Sequence, residues 1–136
     1  MWTSNDFARV LLMLATAAAF SSSAQAAELT GAWASDASVC SKVFVKKDNK
    51  LAFTPDAELY GSGLLVEGDR VSGTLQKCKI KSMKREGGDI HLVAACSTGV
   101  MVSDFQFTVK VTGDDRITVS QAGPVSMETP YVRCPL

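Results

Sequence analysis

The four cysteines are the residues of this 136-residue chain whose chemistry is easiest to anticipate. Cys40, Cys78, Cys96 and Cys134 are widely spaced, and none belongs to a Cys-x-x-Cys pair. Redox centres and zinc sites use closely spaced cysteines or several histidines, so we expect neither, and we predict no metal and no other cofactor. In an exported chain, four such cysteines indicate two structural disulfides.

His91 is the single histidine and would have to act as the general base of any hydrolytic site. Such a site also needs a nucleophile and an orienting carboxylate. The segment Tyr60-Gly61-Ser62-Gly63 does not match the Gly-x-Ser-x-Gly pattern of a nucleophile elbow. It also lacks the third glycine and the following helix of a dinucleotide-binding loop. We therefore predict that the protein is not an enzyme and that His91 is a solvated surface residue.

Five basic residues follow one another closely in the middle of the chain. An exposed basic stripe could bind an anionic surface or an acidic protein partner, but it is also typical of a solvated strand that resists edge-to-edge pairing. No aromatic residues alternate with these basic residues, and 14 Lys+Arg balance 14 Asp+Glu, so we do not expect nucleic-acid binding. The possible anion or partner surface consists of Lys77, Lys79, Lys81, Lys84 and Arg85.

Residues 1–26 have the pattern of a secretory signal peptide. Arg9 precedes an apolar run from Val10 to Phe20, and Ala24-Gln25-Ala26 matches the small-x-small pattern before a cleavage site. The apolar run is too short to span a bilayer, which takes about 20 residues. We expect a periplasmic or secreted bacterial protein with one domain over residues 27–136 and no stable membrane anchor after cleavage.

The mature chain alternates apolar and polar residues with a period of two, as antiparallel strands with one buried face do. Phe105, Phe107, Val109 and Val111 are the clearest case, and Arg70–Ser82 is the longest such segment. Turns rich in Gly, Asp and Asn separate these segments, and no long amphipathic helix is indicated. The predicted fold class is all-β: an antiparallel up-and-down meander of about eight strands, closed or nearly closed into a barrel because open edges favour aggregation.

Strand pairing selects one of the three possible disulfide connectivities. Suppose that Arg70–Ser82 and Asp89–Ala95 form a hairpin through the three-residue loop Glu86-Gly87-Gly88. Cys78 then lies directly opposite Cys96, at a separation that suits a cross-strand bridge. This pairing predicts the disulfides Cys78–Cys96 and Cys40–Cys134.

The faces of the strands support this register. This register places Cys78 and Cys96 on one face with Leu92, and Lys77, Lys79 and Lys81 on the other face. A two-residue turn at Gly87-Gly88 would shift the pairing by one residue and place both sets of side chains on the wrong faces. In the next predicted hairpin, too, the register places apolar residues opposite apolar residues. A loop at Gly113-Asp114-Asp115 places Val111 opposite Ile117.

The segment Leu29-Thr30-Gly31-Ala32-Trp33 resembles the Gly-x-Trp signature on the first strand of the calycin superfamily, which includes lipocalins and avidins. The resemblance implies an eight-stranded up-and-down barrel in which Trp33 is a structural plug at one end. Avidin-type biotin sites use several tryptophans, whereas Trp33 is the only one in the mature chain, so no ligand residue is carried over. The chain also resembles small periplasmic inhibitors of bacterial metalloproteases, which have an early Trp followed by a Cys, as Trp33 and Cys40 are here.

These features predict an exported, non-enzymatic small β-barrel that binds a small ligand or a protein partner. The alternative, implied by the second resemblance, is a periplasmic inhibitor of a protease or lysozyme. An eight-stranded barrel can be filled by its own side chains or can hold one small ligand. An internal cavity is therefore the feature to look for in the structure.

Overall fold

A computed structural model describes residues 28–136 of the chain, so the predicted signal peptide lies outside the described residues. Strands dominate this part of the chain, and a short α-helix, α1, spans Cys40–Val43. The strands are β1 (Gly31–Ala34), β2 (Phe44–Lys47), β3 (Lys50–Phe53), β4 (Gly63–Glu67), β5 (Arg70–Gly73), β6 (Lys77–Glu86), β7 (Asp89–Ser97), β8 (Val102–Gly113), β9 (Arg116–Gln121) and β10 (Glu128–Arg133).

Eight of these strands form a closed antiparallel barrel in the order β1-β10-β9-β8-β7-β6-β5-β4. The prediction of an all-β fold with an eight-stranded closed barrel is therefore confirmed. From β4 onward each strand pairs with the next, which is the meander that the turn-rich sequence indicates. The remaining two strands, β2 and β3, lie between β1 and β4 in the sequence and form a separate hairpin outside the barrel sheet.

The insertion between β1 and β4 packs on the outside of the barrel wall. Alternation along β1 turns Trp33 inward and its neighbours outward, and the outward side chains meet α1 and the β2–β3 hairpin. The packing is so close that a Cβ atom at Gly63 would lie 2.8 Å from a methyl group of Val43 and 2.9 Å from the Phe44 ring. This outer core contains Ala32, Ala34, Cys40, Val43, Phe44, Ala57, Leu65 and Cys134.

Both predicted disulfides are present, with Cα–Cα distances of 5.6 Å for Cys40–Cys134 and 4.0 Å for Cys78–Cys96. Cys40–Cys134 joins the start of α1 to the residue that follows β10. Cys78–Cys96 bridges paired residues of β6 and β7. Covalent links are valuable in a domain of this size, because its surface is large relative to its core.

The prediction that Arg70–Ser82 is one strand is wrong. The chain turns after Gly73, whose N–H donates to the carbonyl of Gln76 at 2.7 Å, and β6 then starts at Lys77. The alternation changes phase here: the apolar residues are Val71 and Leu75 before β6 and Cys78 and Ile80 within it, with two consecutive polar residues between them. The residues between the two strands form a connection at one end of the barrel.

The predicted register of the next hairpin is right at the cysteines and wrong at the turn. Cys78 lies opposite Cys96, but the turn has the two residues Gly87-Gly88, and Met83 rather than Ser82 lies opposite Leu92. The register shifts between Ile80 and Ser82, so one extra residue in β6 restores the inward direction of the apolar side chains. The β8–β9 hairpin is similar: Val111 does lie opposite Ile117, and a shift follows before the turn.

Candidate ligand-binding cavity

The barrel encloses a cavity of about 640 Å³. This volume lies within the range of small-molecule sites, which is roughly 300–1,000 Å³. Its wall comes from the inward positions of seven barrel strands and from Leu29, which precedes β1. Besides Leu29, the apolar residues that the strands contribute to the wall include Leu64, Val66, Val71, Ile80, Leu92, Ala94, Phe107, Val109, Ile117 and Val119, and the β9–β10 connection adds Ala122, Pro124, Val125 and Met127.

Two small inward residues leave room for this cavity. Gly73 and Ala94 both line it, where larger side chains would fill the space. A Cβ atom added at Gly73 would have no neighbour closer than 3.7 Å, which is ordinary van der Waals contact. The choice of residue at these positions, rather than the backbone, therefore keeps the barrel interior partly open.

The cavity offers hydrogen-bonding groups but no charge. Among the described residues that line it there is no Asp, Glu, Lys, Arg or His; its polar side chains are Gln76, Gln121, Thr129 and Tyr131. Burial raises the pKa of the Tyr131 phenol, and a hydrogen bond with the Ser62 side chain acts in the opposite direction. A neutral phenol beside apolar walls suits an uncharged ligand, because an unpaired charge would lose its hydration on entry.

The two ends of the barrel differ. We call the end formed by the β5–β6, β7–β8 and β9–β10 connections the mouth, and the opposite end, with the β4–β5, β6–β7 and β8–β9 turns, the base. The β5–β6 and β9–β10 connections contribute residues to the cavity wall, including Gln76, Gly123 and Val125. The cavity therefore extends to the mouth.

Trp33 and Arg133 pack against each other at the base. Trp33 is 1% exposed, and its indole N–H donates to the carbonyl of Leu29 at 2.8 Å. The Arg133 guanidinium lies 4.1 Å from the centre of the Trp33 ring and donates to the carbonyls of Glu28 and Thr30. These contacts are those that a plug would need, and the plug role itself remains a prediction.

Arg133 is a residue that the sequence-based reasoning missed. Nothing in the local sequence pattern distinguishes it from a solvated arginine. The sequence signal for this contact is Gly31. Its φ of +132° disfavours other residues. A Cβ atom at this position would lie 2.9 Å from the Arg133 guanidinium, so the missing side chain leaves room for that group. A glycine two residues before a buried tryptophan thus marks the place of a side chain from another strand.

The predicted basic surface is divided by the structure. Three of its lysines have acidic partners on the outer face: Lys79 with Asp69 at 4.0 Å, Lys81 with Asp104 at 2.9 Å and Lys84 with Glu86 at 2.8 Å. Lys77 has no ion pair within the described part of the chain. Most of the positive charge of this stripe is thus balanced by neighbouring acids, and binding of an anionic surface or partner there stays a prediction.

Arg85 does not share the outer face with these lysines. It lies opposite Ile90, which is fully buried, and therefore on the inward face of β6. Its guanidinium pairs with Glu28 at the base, beside Arg133, which donates to the Glu28 carbonyl. The register shift in β6 explains the difference, because it reverses the facing of every residue beyond Ile80 relative to a regular strand.

His91 lies on the outer face, as predicted, beside a hydroxyl and a carboxylate. Its Nδ1 is 3.1 Å from Thr108 Oγ1, and its Nε2 is 3.6 Å from Glu86. The hydrogen bond from Lys84 lowers the pKa of the Glu86 carboxyl, so this carboxylate already has a cationic partner. None of the three residues His91, Thr108 and Glu86 lines the barrel cavity or the smaller cavity beside Trp33 and Arg133 at the base.

Two further searches give negative results for residues 28–136. No group of three or more His, Cys, Asp or Glu residues is arranged to hold a metal ion. No helix in this range has the length and apolar character needed to cross a membrane. Comparison of the chain with protein-family models, curated proteins and solved structures finds no match, so the interpretation of the cavity depends on its own geometry.

Proposed function

We propose that this protein is an exported, non-enzymatic binding protein that holds one apolar small molecule in its barrel. The observation that carries the proposal is the uncharged cavity of about 640 Å³. Transfer of apolar groups from water into such a site is favourable by about 0.8 kcal/mol for each buried CH₂. A carrier of a poorly soluble molecule is the function that this geometry supports best.

The chemistry of the ligand follows from the cavity wall. Its apolar residues favour an aliphatic or aromatic body, and its absence of charged side chains disfavours an ionised group inside the barrel. Tyr131, Thr129 and the two glutamines supply a few donors and acceptors that could orient one polar end. We therefore expect a largely apolar molecule with at most one or two neutral polar groups.

Two features support export to the periplasm or beyond. The first is the secretory pattern of residues 1–26, and the second is the presence of two disulfides, which persist in oxidising compartments. In such an aqueous compartment a poorly soluble molecule needs a carrier. Location and cavity thus favour the same function.

Filling the cavity tests the proposal. Residues 27–136, with both disulfides formed, are titrated with N-phenyl-1-naphthylamine, an uncharged probe whose fluorescence rises in apolar surroundings. In the variant Gly73→Phe an aromatic ring enters the cavity near the mouth, and we expect affinity to fall by more than about tenfold. The matched control is Gly88→Phe, because Gly88 lies in the turn at the base with open space around it.

Circular dichroism and melting temperature establish that each variant folds, and Gly73→Leu replaces Gly73→Phe if the larger side chain prevents folding. Equal affinities of the cavity-filled variant and the wild type would show that the probe binds elsewhere. Absence of probe binding to the wild type would contradict the proposal directly.

A further inference from the structure

The mouth of the barrel carries a ring of exposed apolar side chains, which we call the mouth rim. Six of the nine large hydrophobic residues that are exposed in residues 28–136 belong to it, and each is between 66% and 92% exposed. They come from three of the four connections at the mouth, which lie far apart in sequence. The mouth rim consists of Leu75, Val100, Met101, Val102, Val125 and Met127.

Charge is distributed unevenly between the mouth and the base. Three of the four connections at the mouth, residues 73–76, 97–103 and 121–127, contain no Asp, Glu, Lys or Arg. The fourth is the insertion between β1 and β4, which is charged and packs on the outside of the barrel wall. Each turn at the base, within residues 67–70, 86–89 and 114–116, contains at least two charged residues. Exposed apolar patches with a polar surround mark interaction sites, so the uncharged end is the one that meets a partner.

The mouth rim is continuous with the cavity. Val125 and Met127 are strongly exposed and also line the cavity wall. An apolar surface therefore runs from the outside of the molecule into the barrel. A molecule that entered from an apolar phase in contact with the mouth rim would not have to cross water.

The composition of the mouth rim favours a lipid surface over a protein partner. Hot spots of protein interfaces are enriched in Trp, Tyr and Arg, and the mouth rim has none of these. Its side chains are aliphatic or thioether groups, which enter hydrocarbon without losing hydrogen bonds. The lack of charge has the same implication, because a charged group costs several kcal/mol to move into a bilayer.

The charges closest to the mouth rim complete the argument. The flanking acids Asp104 and Glu128 are ion-paired, with Lys81 and Lys110. Lys77, which directly follows the β5–β6 connection, has no ion pair within the described part of the chain. Lys77 thus places an unpaired positive charge beside the apolar ring, which suits the phosphates of anionic headgroups.

We infer that the mouth rim docks reversibly on the surface of a lipid bilayer and that the apolar ligand enters or leaves the barrel there. This inference rests on the proposed function, since it names the phase with which the cavity exchanges its ligand. The docked molecule would insert the side chains of three short connections and leave the charged base in water.

Vesicle sedimentation tests the inference. Residues 27–136 are spun with vesicles of phosphatidylethanolamine and phosphatidylglycerol, and the bound fraction is compared with that of the double variant Val100→Gln/Met101→Gln. Because neither residue lines the cavity, probe affinity in solution should stay within about twofold, while vesicle affinity should fall by about tenfold. The control is Leu136→Gln, which removes an exposed apolar side chain outside the mouth rim.

The outcomes separate the inference from the proposed function. Probe binding without sedimentation of the wild type would overturn docking and leave the carrier function intact. Sedimentation that the double variant does not weaken would also overturn docking through the mouth rim. Lack of probe binding would instead contradict the carrier function. Replacing phosphatidylglycerol by phosphatidylcholine should weaken sedimentation if Lys77 contacts anionic headgroups.

Discussion

The closure of the barrel between β1 and β10 is its shortest strand pairing, and the disulfide Cys40–Cys134 lies beside it. The two strands share only two pairs of opposed residues, Trp33 with Arg133 and Ala34 with Val132. The disulfide joins the segment that follows β1 to the residue that follows β10. Replacing both cysteines, as Cys40→Ala/Cys134→Ala, should therefore weaken the barrel at its least supported seam.

The size of the effect can be worked from loop length. Cys40 and Cys134 are 94 residues apart, which corresponds to about 4.7 kcal/mol of unfolded-state entropy, whereas the 18 residues between Cys78 and Cys96 correspond to about 3 kcal/mol. The β6–β7 hairpin also has nine opposed pairs of its own. We expect the seam disulfide to contribute more, and the loss to be a large part of a total stability of about 5–15 kcal/mol.

Urea unfolding followed by circular dichroism measures this difference. The matched control is Cys78→Ala/Cys96→Ala, which removes the same atoms from the other disulfide. The seam variant should have the lower free energy of unfolding. A loss smaller than that of the control, or below about 1 kcal/mol, would refute the inference from loop length that the seam disulfide contributes more.

Two other predictions concern the base and the cavity. Arg133→Leu should lower the free energy of unfolding by about 3 kcal/mol, because it removes charge-assisted hydrogen bonds and a cation–π contact. The control Arg116→Leu, at an exposed position, should change the free energy of unfolding by less than about 0.5 kcal/mol. Equal urea midpoints of the two variants would contradict this prediction. In Tyr60→Phe, Tyr131 is the only tyrosine, and its phenolate absorbance at 295 nm should appear above the ordinary pKa of about 10. A pKa that is higher in the folded than in the unfolded chain stabilises the fold at pH values below the unfolded-chain pKa, and this contribution should disappear as the pH rises through the folded-state pKa. A titration midpoint at the ordinary pKa would show that the phenol is not buried.

Alternation and turn residues were enough to predict the barrel and both disulfides. Apolar side chains at every second position determine which face of a strand is buried, and the facing of Cys78 and Cys96 follows from that pattern. The turn at Gly87-Gly88 was misjudged because an extra residue near Lys81 compensates for it. The inserted residue does leave a mark in the alternation, because two consecutive polar residues, Lys81 and Ser82, separate the apolar Ile80 and Met83.

The cavity and its mouth depend on topology, which local patterns do not contain. An inward Gly73 creates space only because strands from the rest of the chain surround it. The contact of Arg133 with Trp33 likewise joins residues that lie near opposite ends of the domain's sequence. The uncharged connections at the mouth were visible in the sequence, but they acquire meaning only when the strand order places all three at one end.

The seam and the cavity are predicted to be energetically separable. Cys40 and Cys134 belong to the outer core, and neither lines the cavity, so Cys40→Ala/Cys134→Ala should destabilise the barrel without changing its affinity for an apolar probe. A ligand that binds only the folded state stabilises it by about 2.7 kcal/mol at one hundred times its Kd, whatever the stability of the free protein. The probe should therefore raise the free energy of unfolding of the wild type and of the seam variant by the same amount. A smaller increase in the variant would mean that closure between β1 and β10 also shapes the cavity.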